Sequence, residues 1–83
     1  MAKVEIDKDN KEVKLYLDTR FYDNRYVMLA AKAFAESCWV YLDGDVNDKL
    51  QVCLKPKSDD IKLETVGYEF YNYVLGLIKN GTA

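Results

Sequence analysis

The reactive inventory of this 83-residue chain is 14 acidic side chains, 12 basic ones, two cysteines and no histidine. Without histidine there is no general base poised near neutral pH, no member of the commonest class of metal ligand, and no Ser–His or Cys–His pair. Carboxylates, lysines and two thiols remain. Asp43, Asp45 and Asn47, followed by Asp48, space their oxygens like the opening of a calcium loop. Such a loop needs glycine at its sixth position and a bidentate glutamate at its twelfth, where this chain has Asp48 and Leu54. The stretch therefore predicts a polar turn between strands. Cys38 and Cys53, fifteen residues apart, lack the further ligands of a zinc site. A nucleophilic Cys53 would need a depressed pKa. These groups predict no catalytic residue, no metal site and no cofactor, and so a protein that is not an enzyme.

The elements that would position these side chains follow from hydrophobic period. Val4 and Ile6 alternate with Lys3, Glu5 and Asp7, and Val13, Leu15 and Leu17 alternate with Lys14, Tyr16 and Asp18. Both stretches read as half-buried strands, paired as a hairpin with Ile6 opposite Val13 and Val4 opposite Leu15. From Asp23, a natural N-cap, to Ser37 the period turns helical, with Val27, Ala30, Ala31 and Phe34 inward. Strands over Cys38–Asp43 and Lys49–Lys55 come next. Pairing Leu42 with Leu50 sets Asp43 against Lys49 and Trp39 against Cys53. Pro56 stops the sheet, Ser58 or Asp59 caps a last helix, and Asn80-Gly81 ends it. The prediction is a single α+β domain over residues 1–83, ββαββα, with a four-stranded antiparallel sheet and two helices packed on one face. The second strand–strand–helix unit echoes the first, loosely enough that any two such units could match.

Cys38 shares the inward phase of Val40 and Leu42, whereas Cys53 points to the other face, so the two are not cross-strand partners. That other face carries Tyr16, Trp39, Tyr41, Gln51 and Cys53 among Lys3, Glu5 and Lys14. If the helices cover one side, this side is open. Its aromatic content suits a peptide or protein, and equally suits strands as such. The last helix has two apolar stripes. Leu63, Val66, Gly67, Phe70, Val74 and Leu77 form one; Tyr68, Tyr71, Leu75 and Ile78 form the other. A helix apolar on two sides must be buried twice, so the Tyr68, Tyr71, Leu75 and Ile78 stripe predicts a homodimer interface. Small residues (Ala30, Ala31 and Ala33 with Gly67) would let the helices approach closely, and glycine inside a helix costs about 1 kcal/mol relative to alanine.

Composition limits the function classes. A hydrophobic fraction of 49% and a charged fraction of 31% describe a folded domain. The net charge of -2, with both signs interspersed, offers no basic stripe for nucleic acid. No apolar run reaches membrane-spanning length, and the first residues do not read as a signal peptide, which makes the cytoplasm the expected compartment.

Three segments go beyond generic patterning: Ala30-Ala31 through Phe34 into Val40-Tyr41-Leu42-Asp43; Leu50-Gln51-Val52-Cys53-Leu54-Lys55-Pro56-Lys57; and Glu69-Phe70-Tyr71-Asn72 with Leu75. In this order they resemble the HxsD family, small companion proteins of the His-Xaa-Ser peptide-modification system. Tyr22 falls where that family has a tyrosine before its first helix. The family's last helix runs on into an Asp-Tyr and Leu-Arg-Glu-like tail, where this chain has Gly76 through Ala83. The resemblance implies a non-enzymatic accessory protein working beside a radical S-adenosylmethionine enzyme and its repeat-bearing precursor peptide. The rival reading from another class is a small-molecule-binding regulatory domain with its site at a dimer interface, which a ligand-dependent rise in melting temperature would reveal.

Overall fold

A computed structural model describes residues 3–45 and 47–81. The elements are β1 (Lys3–Asp7), β2 (Glu12–Asp18), α1 (Asn24–Phe34), β3 (Cys38–Gly44), β4 (Lys49–Pro56) and α2 (Leu63–Asn80). The ββαββα order and the open antiparallel sheet are those the alternation predicts, with strands arranged β1-β2-β4-β3. One face of each strand supplies the core: Val13, Leu15 and Leu17 from β2, Leu50, Val52 and Leu54 from β4, and Cys38 from β3. Val27 and Ala30 of α1 and Val66, Phe70 and Val74 of α2 close it from above. Burying each large apolar side chain contributes about 1.5–3 kcal/mol. The central strands β2 and β4 are covered best. On the edge strands the inward-phase Val4, Ile6 and Leu42 stay partly exposed, because two helices do not reach across four strands.

The first hairpin has the expected register, Ile6 opposite Val13 and Val4 opposite Leu15. Its turn is held by Asp7, whose carboxylate accepts from the Asn10 backbone and side-chain amides. The second hairpin corrects the sequence reading by two residues. Leu42 faces Val52, Asp43 faces Gln51, Trp39 faces Lys55 and Tyr41 faces Cys53. The cause is a tighter turn: the Asp45 N–H donates to Lys49 O and the Asp48 N–H to Asp45 O. Gly44, at φ +98°, permits the approach, for a Cβ there would stand 2.4 Å from Lys49 O. A shift of two leaves every side chain on its face and changes its neighbours.

Asp23 caps α1 as expected, accepting from the Arg25 N–H. The helix ends at Phe34, short of Ser37, where Ala35–Ser37 turn into β3. Neither Ser58 nor Asp59 caps α2. The Ile61 N–H donates to Ser58 O in a separate turn, Ile61 packs against the core, and the helix begins after Lys62 without a side-chain cap. Gly81 ends it in the left-handed conformation, its N–H reaching Leu77 O and Ile78 O. The expected alanine–glycine contact between the helices is replaced. Phe34 meets Phe70 and Tyr73 edge-on, with ring centres 5.1 and 5.8 Å apart, while Gly67 lies against β2. Among the described residues no helix is long and apolar enough to cross a membrane.

Candidate interaction face

With both helices on one side, no described helix covers the other side of the sheet, and strand register lays its side chains out in rows. Lys3, Tyr16, Gln51 and Asp43 form one row; Glu5, Lys14, Cys53 and Tyr41 form the next. Trp39 begins a third beside Lys55. The five residues assigned to this face from sequence, Tyr16, Trp39, Tyr41, Gln51 and Cys53, all lie on it. Their exposure differs sharply. Trp39 is 55% and Tyr41 58% exposed, Tyr16 and Gln51 are half-covered, and Cys53 is buried at 9%.

Cys53 is closed by a carboxylate on the neighbouring strand β2. Its thiol donates to Glu12 Oε2 at 3.0 Å. Burial first, and then the hydrogen bond to Glu12, push its pKa up to about 11, which leaves the neutral thiol and argues against a nucleophile. Cys38 is buried, and desolvation raises its pKa too. Tyr16 is tied to Glu5, whose hydrogen bond raises the phenol above its ordinary value, and Lys3 lies 5.8 Å from the ring centre. The β1–β2 half of the face thus carries interspersed charges, with Glu5 opposite Lys14, and the exposed aromatic surface is concentrated on the edge strand β3.

Trp39 has a partner that sequence reading missed. The Lys57 ammonium sits 4.5 Å from the ring centre while donating to Ala35 O at 2.9 Å. This cation–π contact joins the C-terminal end of α1 to the start of β3. Lys55 and Lys57 lie at the Trp39 end of the strand, and Asp43 and Asp45 at the other. The resemblance-bearing Lys55-Pro56-Lys57 run was the available signal.

Two carboxylates of the calcium-like stretch, with the Asp48 backbone carbonyl, are engaged in and around the turn. Asp43 Oδ1 accepts from the Gly44 N–H and Asp45 Oδ1 from the Asn47 N–H, while Asp48 O receives the Thr19 backbone and hydroxyl. Residue 46 of that stretch lies outside the described residues. Among the described residues no group of three or more Cys, Asp or Glu is placed to hold a metal ion.

The predicted dimer stripe on α2 is divided. Tyr71 and Ile78 pack against the chain's own core, and the Tyr71 and Tyr22 hydroxyls stand 3.1 Å apart in a shared hydrogen bond. Tyr68 and Leu75 remain toward solvent. What fold and face define together is a two-layer α+β domain with one open sheet face, aromatic along a single edge. No protein-family model, curated protein or solved structure matches the chain.

Proposed function

We propose that this chain is a non-enzymatic accessory protein that acts by binding a partner protein or peptide. The observation that carries this is the pair Trp39 and Tyr41, neighbours on one face of an edge strand and both more than half exposed. Large aromatic rings left in water are the side chains that most often anchor a protein contact. The closed state of Cys53 favours binding over chemistry. Joined to the HxsD-like resemblance, this makes the partners a radical S-adenosylmethionine enzyme or the His-Xaa-Ser precursor peptide it modifies.

Trp39 is the only tryptophan in the chain, so its emission reports directly on the surface in question. Titration with the precursor peptide, or with an enzyme variant lacking fluorescence overlap, should shift the emission to shorter wavelength and saturate. Tyr41→Ala should weaken the response by about tenfold or more, as expected for an anchor residue. A flat titration with both partners, or an unchanged response in Tyr41→Ala, refutes the proposal.

A further inference from the structure

The two edges of the sheet are built differently. β1 has five residues, three of them charged (Lys3, Glu5 and Asp7). Short charged edges discourage pairing with another strand. β3 has seven residues, Cys38-Trp39-Val40-Tyr41-Leu42-Asp43-Gly44, and a single charge. Its apolar side chains are exposed on both faces: Trp39 and Tyr41 on the open side, Leu42 on the helix side. It borders β4 and no other strand of the sheet. A long apolar edge of this kind is a template for a further strand.

The sequence of β3 indicates which strand. Laid antiparallel to itself about Tyr41, it sets Tyr41 opposite the second copy's Tyr41, Val40 opposite the second copy's Leu42, and Trp39 opposite the second copy's Asp43. Aromatic meets aromatic and aliphatic meets aliphatic on matching faces. Charge agrees as well. Lys55 is the cross-strand neighbour of Trp39 and Lys57 lies over its ring, so each Asp43 arrives beside two lysines. A two-residue shift in either direction takes Asp43 away from that position, and a one-residue shift sets open-face residues against helix-side ones.

We infer that β3 is a self-association edge, through which two copies join their four-stranded sheets into one continuous antiparallel sheet. The inference rests on reading the protein as an interaction domain, and narrows it by giving this edge to a second copy. An extended segment of a different protein is the competing occupant.

Disulfide trapping tests it. Cys53 faces Tyr41 within the sheet and would capture a thiol placed there, so the background is Cys53→Ser. In that background Tyr41→Cys should form a covalent dimer under mild oxidation, and Glu5→Cys, on the same face at the charged edge, should not. The unmodified chain should sediment as a dimer at roughly 100 µM. Tyr41→Lys and Leu42→Lys should sediment as monomers while keeping the native circular dichroism spectrum. Asp43→Lys should weaken the dimer by about tenfold, and adding Lys57→Asp to it should restore most of the loss. If a lysine variant fails to fold, the trapping arm still decides.

A chain monomeric at that concentration, or one that cross-links through Glu5→Cys and not through Tyr41→Cys, overturns the inference. A monomer whose Trp39 emission still responds to enzyme or peptide gives the edge to a foreign segment and leaves the proposed function standing. A β3-linked dimer with no response to either partner does the reverse.

Discussion

Replacing each of two glycines in α2 by alanine should give unequal effects, stabilising at one position and not at the other. Both Gly67 and Gly76 lie inside Leu63–Asn80, and alanine is favoured over glycine in a helix interior by about 1 kcal/mol. Around Gly76 no atom lies within 4 Å of where a Cβ would stand, so Gly76→Ala should realise that gain. At Gly67 the added carbon would be 2.8 Å from Val13 Cγ1 and 3.5 Å from Val4 Cγ1. Val13 is fully buried, and as a β-branched residue in a central strand it cannot swing aside. Either α2 lifts from β2 or Val13 leaves its rotamer, and overpacking of this kind costs about 1–3 kcal/mol. Subtracting the helix gain, Gly67→Ala should be neutral to about 2 kcal/mol destabilising. The two variants should therefore differ by about 1–3 kcal/mol, or roughly 4–24 °C in melting temperature for a domain of this size. Urea titration followed by circular dichroism at 222 nm measures both at equal slope. Equal stabilisation by the two substitutions would show that α2 does not sit on β2 at Gly67, and the placement of the helix would have to be abandoned.

Two further outcomes follow from titrating groups. Asp18, buried at the end of β2, accepts from the Arg20 backbone and guanidinium, and these bonds hold its carboxyl down to about 2 from an ordinary 3.8. A depressed folded value means a contribution fully present above the ordinary value and lost as pH falls toward 2. Asp18→Asn should thus be less stable than the parent at pH 7, with the gap narrowing between pH 4 and pH 2; a gap that widens on acidification refutes the pairing. For Cys53, a thiol at about 11 in place of 9.0 has about 100-fold less thiolate at pH 8. Ellman's reagent should label the folded protein at least that much more slowly than the urea-unfolded chain, and Glu12→Gln should quicken Cys53 labelling. Rapid labelling of the folded protein would mean the thiol is not closed by Glu12.

The parts of this fold that were legible in sequence are those with local causes. Alternation over Val13–Leu17 and Leu50–Leu54 identifies core faces, Asp23 caps α1 through its neighbour Arg25, and Gly81 ends α2. What escaped depends on contacts between distant residues. The β2–β4 pairing brings Glu12 to Cys53 across 41 residues, and nothing in the order of strands places β2 beside β4. The β3–β4 register was missed because Gly44 admits a tighter turn than the polar run suggests, and a period of two is blind to a shift of two. Small residues on both helices imply a close helix–helix seam with Gly67 in it. Phe34 fills that seam, and the glycine serves the sheet. Lys57 reached the candidate face only through the fold, which returns the chain after Pro56 to the end of α1.

The two apolar stripes of α2 raise a general point about small domains. A helix apolar on two sides implies a second burial, yet that burial need not come from another chain. Here α2 covers β2 and β4 with one side and is flanked by α1 through Tyr73 and Phe34. On the far side Tyr71 reaches Tyr22, the residue just ahead of the α1 cap Asp23. Tyrosine suits such flanks because the ring packs against apolar neighbours while the hydroxyl finds a polar partner at the rim. That leaves Tyr68 and Leu75 of the stripe exposed on the helix, two turns apart, while β3 places Trp39, Tyr41 and Leu42 along an edge that borders only β4 among the described strands. An isolated exposed ring is ordinary on a protein surface, whereas a run of them on a free edge supplies both apolar area and backbone hydrogen bonds to a second strand. The surface best suited to association is therefore the strand, whose exposure only the assembled sheet reveals, and not the helix.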